Sequence, residues 1–457
     1  MNVVMKFGGT SVADADAMGR VIGVVRRHLE SNPAGRPPVV VVSALSKVTD
    51  RLIEAGRLAG DGNADQAATL LGDLLDRHLG GATALVGPVE LGPLAATLTG
   101  DFARLILSVR ALAANRDVSP RSHDEIVAMG ELASSRIVAA AFAAAKIPAL
   151  WIDARAVLVT DAEHTGAAPD MEATCARSRN LIGGALAAGQ VPVLGGFIGA
   201  TEARVTTTLG RGGSDYSAAI FGACLDMDEI QIWTDVDGML TADPRVVPEP
   251  RLVPQLSFAE ASELAYFGAK VLHPSTILPA VSKNIPVRIL NSRRPEVTGT
   301  RITAEGGSAN GQLTALACKR GVTVIDITST RMLMAHGFLR RLFEVFERFR
   351  TAVDVVTTSE VSVSVTVDNT RRLDDIVRNL RNFADVACEP DMAIICAVGE
   401  NLRADPALFA RAVTSLDRIP LRLVSQAASR RNITFVMRDS DVPEAMGRLH
   451  EQFFGGP

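Results

Sequence analysis

Cysteine is scarce: Cys175, Cys224, Cys318, Cys388 and Cys396 are the only five in 457 residues. They are odd in number, scattered and never spaced C-x-x-C, which disfavours both structural zinc and a disulfide framework. No run of Lys and Arg reaches five, and 47 basic against 51 acidic residues leave a net charge of −4. Nucleic acid is therefore not an expected partner. The longest run of branched aliphatic residues, Val39–Val42, is far short of the ~20 that span a bilayer, so no membrane partner is expected. Val3–Phe7 enters a strand at once, without a basic-then-apolar leader, which points to the cytoplasm. Neither G-x-G-x-x-G after a strand nor the Walker spacing G-x-x-x-x-G-K-[ST] occurs, which argues against a nucleotide-dependent dehydrogenase.

What is present suits large cores. The chain is 47% apolar and 21% charged, and at ~150 residues per domain it predicts two or three domains. Val3–Phe7, Val39–Val42, Val191–Leu194, Ile230–Thr234 and Pro286–Leu290 read as buried strands. Ala13–Leu29, Asp124–Ala145, Ala173–Ala188 and Asp215–Cys224 read as helices, with Val24, Leu29, Ile137, Leu181 and Leu186 on their core faces. The alternation predicts an α/β fold, a three-layer domain on a largely parallel sheet over 1–302. Ligands of such sheets bind beyond the carboxyl ends of the strands.

A Gly/Ser-rich stretch, 303–312, reads as a linker. Beyond it a βαββαβ pattern over 313–388 is followed by βαββα over 389–457, two ferredoxin-like modules. The second copy lacks one strand and the first has one to spare, Leu313–Lys319. That leading strand is expected to complete the second module, which intertwines the two.

Three segments carry candidate chemistry. Lys6-Phe7-Gly8-Gly9-Thr10-Ser11 follows the first strand; glycine N–H groups, a helix N-terminus and one ammonium suit a polyphosphate, though a plain tight turn has the same spacing. Thr206–Asp215 packs hydroxyls, Arg211, three glycines and a helix-start carboxylate into ten residues, suited to anion capture or to an ordinary N-capped loop. Thr234-Asp235-Val236-Asp237-Gly238 and Asp243-Pro244-Arg245 follow another strand. Their carboxylates could hold Mg²⁺ through water or cap turns, with capping favoured for Asp237. Gly268-Ala269-Lys270-Val271-Leu272-His273-Pro274 adds a lysine beside a glycine; His273 is assigned no role.

Together these four segments, in this order and ahead of paired C-terminal modules, closely resemble the aspartokinases of the amino-acid kinase family. The resemblance spans the whole chain and identifies the modules as ACT-type. It implies ATP- and Mg²⁺-dependent phosphorylation of the L-aspartate β-carboxylate, the first step toward lysine, threonine and methionine. By position, Lys6, Gly8 and Gly9 would contact the transferring phosphoryl group, and Arg211 would hold a substrate carboxylate. Asp215 would organise Lys6 and the substrate amino group. Ser43 and Thr49 would line the aspartate site, with Glu131 meeting its ammonium. Thr234, Asp235, Arg245, Lys270 and Val271 would bind ATP, with Leu240 in place of the usual aromatic there.

The segment Met332–Leu339 and the run Val353–Val361 resemble lysine-sensitive members. Met332, Gly337, Phe338, Leu339, Asp354, Ser359 and Glu360 would form an effector site. Lysine is favoured over threonine as effector, although Ala335 and Ala352 replace serines of that pattern. A homodimer or homotetramer through the ACT modules is implied. The competing readings are a related kinase acting on glutamate or N-acetylglutamate, and a catalytically silent amino-acid sensor.

Overall fold

Val3–Phe7 (β1) and Val39–Val42 (β2) are buried at every position, as strands covered on both faces of a parallel sheet must be. The computed structural model describes residues 1–269, 272, 274–307, 312–332, 336–426 and 429–455. They divide into two units, 1–239 with 272–305, and 240–271 with 306–457.

In the first unit β1 and β2 join Ala149–Trp151 (β3), Val191–Gly195 (β4), Glu229–Thr234 (β7), Val287–Asn291 (β9) and Thr300–Thr303 (β10). The order is β3-β4-β2-β1-β7-β9-β10. All neighbours are parallel except β10, which runs antiparallel to β9. A separate ribbon pairs Ile198–Ala200 (β5) with Thr206–Thr208 (β6). The expected strands are therefore present, shifted by one residue at most at either end.

The helices begin where capping chemistry dictates. Ala15–Ser31 starts after Asp14, whose carboxylate accepts from the Ala17 N–H at 2.8 Å, and Gly9–Val12 forms a short 3₁₀ turn before it. The helix expected from Asp124 starts a turn earlier, at Pro120, with Ser119 as cap. It runs to Ala144 and is apolar and long enough to cross a bilayer, yet 83% of its apolar window is buried inside the molecule, so it is a core helix. Leu181 corrects the expected core list. It is 38% exposed, because the buried face of Met171–Ala187 runs from Thr174 through Ser178 and Ile182 to Leu186, which leaves Leu181 just beyond its edge although it lies three residues after Ser178 and four before Ala185.

One disulfide also corrects the cysteine expectation: Cys175 and Cys224 are bridged. They lie 49 residues apart on Met171–Ala187 and Gly213–Cys224, and only the packing of these two helices brings their Cα atoms to 4.6 Å.

In the second unit, the runs Leu313–Lys319 and Val322–Ser329 form one strand, Gln312–Thr328 (β11), whose pairing shifts between Arg320 and Val322 beside Gly321, at φ 71°. Asp385–Glu400 (β14) likewise fuses two expected strands. With Val356–Thr358 (β12), Ser362–Val367 (β13), Leu423–Ser425 (β15) and Asn432–Arg438 (β16), the order is β12-β13-β11-β14-β16-β15, antiparallel throughout. The first half of β11 pairs with the second half of β14, and Leu316 packs with Ile395, Phe435 and Leu449. The second half of β11 pairs with β13, and Ile325 packs with Leu342, Val363 and Ile376. Residues 240–271, including Gln255–Ser257 (β8), group with this unit. The Leu316 N–H donates to the Thr241 carbonyl at 2.8 Å, and Ala242 and Val247 enter the same apolar cluster as Leu316.

Candidate active site

The carboxyl end of β1 turns sharply enough for backbone to lie against backbone. The Gly8 N–H donates to the Trp233 carbonyl at 3.0 Å, and the Ser46 N–H to the Gly9 carbonyl at 3.1 Å. A Cβ on Gly9 would sit 3.0 Å from the Ala44 carbonyl oxygen, so this position tolerates no larger residue without a shift. Lys6, 8% exposed, sends its ammonium to 2.6 Å from Asp215 Oδ1.

Asp215 stands in the first turn of Gly213–Cys224. The loop before it needs glycine twice over, since Gly210 and Gly212 adopt φ of 76° and 74°. Close packing requires Gly213 as well, where a Cβ would lie 2.6 Å from the Phe197 ring. Arg211 projects from this turn.

Glu131 lies on the core helix and is 3% exposed. Its Oε1 accepts from the Ala44 N–H at 3.1 Å, while Oε2 is buried with no hydrogen-bond partner among the described residues. Burial pushes its carboxyl up to about 8, against the Ala44 N–H and the Lys6 charge, which favour ionisation. Its backbone is pinned, because a Cβ on Gly195 would come within 2.9 Å of the Glu131 carbonyl oxygen.

A cavity of about 710 Å³ joins these groups. It collects Lys6, Gly8 and Gly9 from β1, Ser43, Thr49 and Glu131 from beside β2 and the core helix, and Arg211 and Asp215 from the glycine loop. Thr234 and Asp235, at the end of β7, complete the set drawn from the sequence. Asp237 is engaged elsewhere, accepting from Asn291 Nδ2 at 2.6 Å and ion-paired with Arg294, in keeping with a structural role. Leu240 and Arg245 belong to the second unit, where Arg245 is ion-paired with Asp243 at 2.6 Å. Lys270, Val271 and His273 lie outside the described residues.

Sequence reasoning missed Asp124 and Thr165, which no local signal marks, and noted Thr208 only as one hydroxyl of the Thr206–Asp215 segment. Thr165 and Thr208 line the cavity, and both donate to the fully buried Asp124.

The residues of the second unit expected to meet an effector are dispersed in character. Gly337, at φ 85°, precedes helix Phe338–Arg348; Phe338 is buried in the core and Leu339 is 40% exposed. Met332 is half-buried and packs against the same core. Ser359 shares a 2.6 Å hydroxyl contact with Ser362, and Glu360 is exposed. Asp354 is nearly enclosed and ion-paired with Lys319 at 2.8 Å. Ala335 lies outside the described residues.

A glycine-walled cavity at the carboxyl ends of a parallel sheet, lined by both basic and acidic side chains and holding the desolvated Glu131 carboxylate, marks an α/β domain with a charged small-molecule pocket. Residues 1–291 match the amino acid kinase family and residues 395–453 the ACT domain. Aspartokinase 3, chloroplastic, of Arabidopsis thaliana is 37% identical over 470 residues, covering 99% of this chain and 82% of the relative. Lysine-sensitive aspartokinase 3 of Escherichia coli is 33% identical over 463 residues, covering 99% of both. The crystal structure of E. coli aspartokinase III with aspartate and ADP superposes with a TM-score of 0.84 at 32% identity, over 99% of this chain and 100% of that one. Its complex with lysine and aspartate gives 0.83 at 32%, over 99% of each. The chain belongs to the amino acid kinase family and, within it, to the aspartokinases.

Proposed function

We propose that this chain transfers the γ-phosphoryl group of ATP to the β-carboxylate of L-aspartate, giving 4-phospho-L-aspartate and ADP, and so opens lysine, threonine and methionine biosynthesis. The observation that carries the substrate assignment is Glu131. A buried carboxylate with one oxygen unpartnered, in the same cavity as a lysine–aspartate pair, is matched by a ligand bearing an ammonium group beside its carboxylates.

The acceptor carboxylate has an ordinary pKa near ~3.9, so it is ionised at neutral pH and needs no general base. The barrier is repulsion between two anions, and catalysis is positioning plus charge stabilisation. Lys6 and the Gly9 N–H face the transferring phosphoryl group, which lies against Gly8, whose own N–H is engaged by the Trp233 carbonyl. One carboxylate oxygen bonds to phosphorus as the bond to the ADP oxygen breaks. Arg211 holds the α-carboxylate, Glu131 the ammonium, and Ser43 and Thr49 orient the β-carboxylate. Asp215 holds the Lys6 ammonium in place at 2.6 Å. Thr234 and Asp235 bind the nucleotide.

Among the described residues no three His, Cys, Asp or Glu side chains are grouped as metal ligands. Magnesium, which usually keeps several waters and binds phosphates with one or two carboxylates, would enter with ATP and rest on Asp235. It supplies neutralisation of phosphate charge.

Lysine is the proposed feedback inhibitor, its ammonium groups meeting Asp354 and Glu360, with backbone contacts from Gly337 to Leu339. The exposed apolar side chains of Leu339, Phe343, Val356 and Val361 support self-association through the first module, as a homodimer or homotetramer in the cytoplasm. The deciding experiment is ADP release coupled to hydroxamate trapping of the acyl phosphate. L-Aspartate should give both signals, and glutamate and N-acetylglutamate neither. ADP release without a trapped hydroxamate rejects the proposal.

A further inference from the structure

The geometry points to Asp124 as the positioning residue that fixes the Arg211 turn, and so the affinity for the substrate's α-carboxylate. The inference rests on the proposed role of Arg211 and goes beyond it. Asp124 is fully buried on the core helix, seven residues before Glu131. It is a hub of donors: Thr208 Oγ1 at 2.6 Å, the Thr165 N–H at 3.1 Å to both oxygens, and His164 Nδ1 at 2.8 Å. Burial alone would raise its pKa, but these donors and neighbouring His123 outweigh that and hold it below the usual carboxylate range.

Two of the donors lead directly to the Arg211 turn. Thr208 ends β6, two residues before Gly210, so its hydroxyl ties the entry of the turn to the core helix. Thr165 supports the turn from beneath. It is a β-branched residue at φ 71°, a strained conformation that persists only when its surroundings impose it. Its carbonyl lies where a Gly210 Cβ would approach to 3.2 Å. The Asp124 carboxylate is what holds the Thr165 N–H in that orientation. From it, one contact runs through Thr208 into the strand and another through Thr165 onto Gly210; Arg211 is the next residue.

Asparagine is the informative substitution. It has nearly the same shape but only one acceptor oxygen for three donors, and its amide N–H groups would oppose the Thr165 N–H or His164. The test compares wild type, Asp124→Asn, Thr208→Val and Arg211→Lys with two substrates, L-aspartate and L-aspartate whose α-carboxylate is an amide. For Asp124→Asn the KM for L-aspartate should rise at least ~10-fold, as befits losing hydrogen bonds to a charged group, with the ATP KM within about twofold. The preference for the carboxylate over the amide substrate should fall by a similar factor, toward that of Arg211→Lys. Thr208→Val, which removes one donor and keeps the volume, should move the same ratio ~3-fold and carries the test if Asp124→Asn does not fold.

Equal loss with both substrates, or an equal rise in the ATP KM, would mean general damage to the core helix and overturns the inference. An unchanged ratio in Thr208→Val also overturns it. If Arg211→Lys itself leaves the ratio unchanged, the fault lies in the role given to Arg211 and the inference falls with it. If Arg211→Lys responds and Asp124→Asn does not, only the positioning claim is lost.

Discussion

Replacing Glu131 by glutamine should separate aspartate binding from nucleotide binding, in a manner that depends on pH. Breaking a buried ion pair costs about 3–5 kcal/mol. Burial holds the carboxyl at about 8, so at pH 7 it is mainly protonated before the substrate binds. Ionising it to meet the substrate ammonium takes back ~1.4 kcal/mol. The net loss in Glu131→Gln at pH 7 is therefore about 2–4 kcal/mol, or ~30- to several-hundredfold in aspartate affinity. At pH 8.5 the wild-type carboxylate is already ionised, and the gap should widen nearly tenfold while the ATP KM stays within about twofold.

Stability should move the other way. The folded pKa of Glu131 is raised above its ordinary 4.5, so its contribution to stability is full below that value and is lost as pH rises toward 8. At pH 7 the loss is ~3 kcal/mol, which glutamine avoids. The assays are initial rates with each substrate varied at pH 7.0 and 8.5, and thermal unfolding of the unliganded protein. An aspartate KM ratio that is flat with pH, or an equal rise in the ATP KM, would refute the assignment of Glu131 to the substrate ammonium. A lower melting temperature for the glutamine variant would refute the burial argument.

Lys6→Ala should lower turnover by ~10²–10³-fold, the usual effect of losing one donor to transition-state charge, with the circular dichroism spectrum unchanged; near-normal turnover removes Lys6 from the phosphoryl site. Asp354→Asn should move the lysine inhibition curve to at least ~10-fold higher concentration by removing a charged partner, and an unshifted curve excludes Asp354 from the effector site. A digest prepared without reductant should contain Cys175 and Cys224 peptides joined by a disulfide. Closing a loop of that length is worth ~4 kcal/mol in the chain-entropy model, so reductant should lower the melting temperature. Free alkylation of both thiols without reductant contradicts the bridge.

Local pattern was enough for a large part of this protein. The valine runs of β1 and β2 can be only strands covered on both faces, and the glycine clusters after β1 and before Gly213–Cys224 mark the places where backbone must approach a ligand or turn with positive φ. Lys6, Arg211, Asp215 and Asp235 stand beside such signals, and the cavity unites them. Glu131 carries no local signal and entered only through likeness to a family. The linking of two strands into β11 was hidden, because Gly321 reads as a terminator in isolation and acts as a bend when both halves find partners.

Three matters were decided by tertiary structure alone. The pKa of Glu131 depends on desolvation, which the walls around it impose and its neighbours in sequence do not. Asp124 appears as a mere helix boundary until folding brings Thr165 and Thr208 to it from 41 and 84 residues away. Cys175 and Cys224 meet because two helices pack, a relation that no spacing encodes. Composition and periodicity fix what each segment can become; which buried charges lose water, and which distant donors restore it, is settled only when the segments pack.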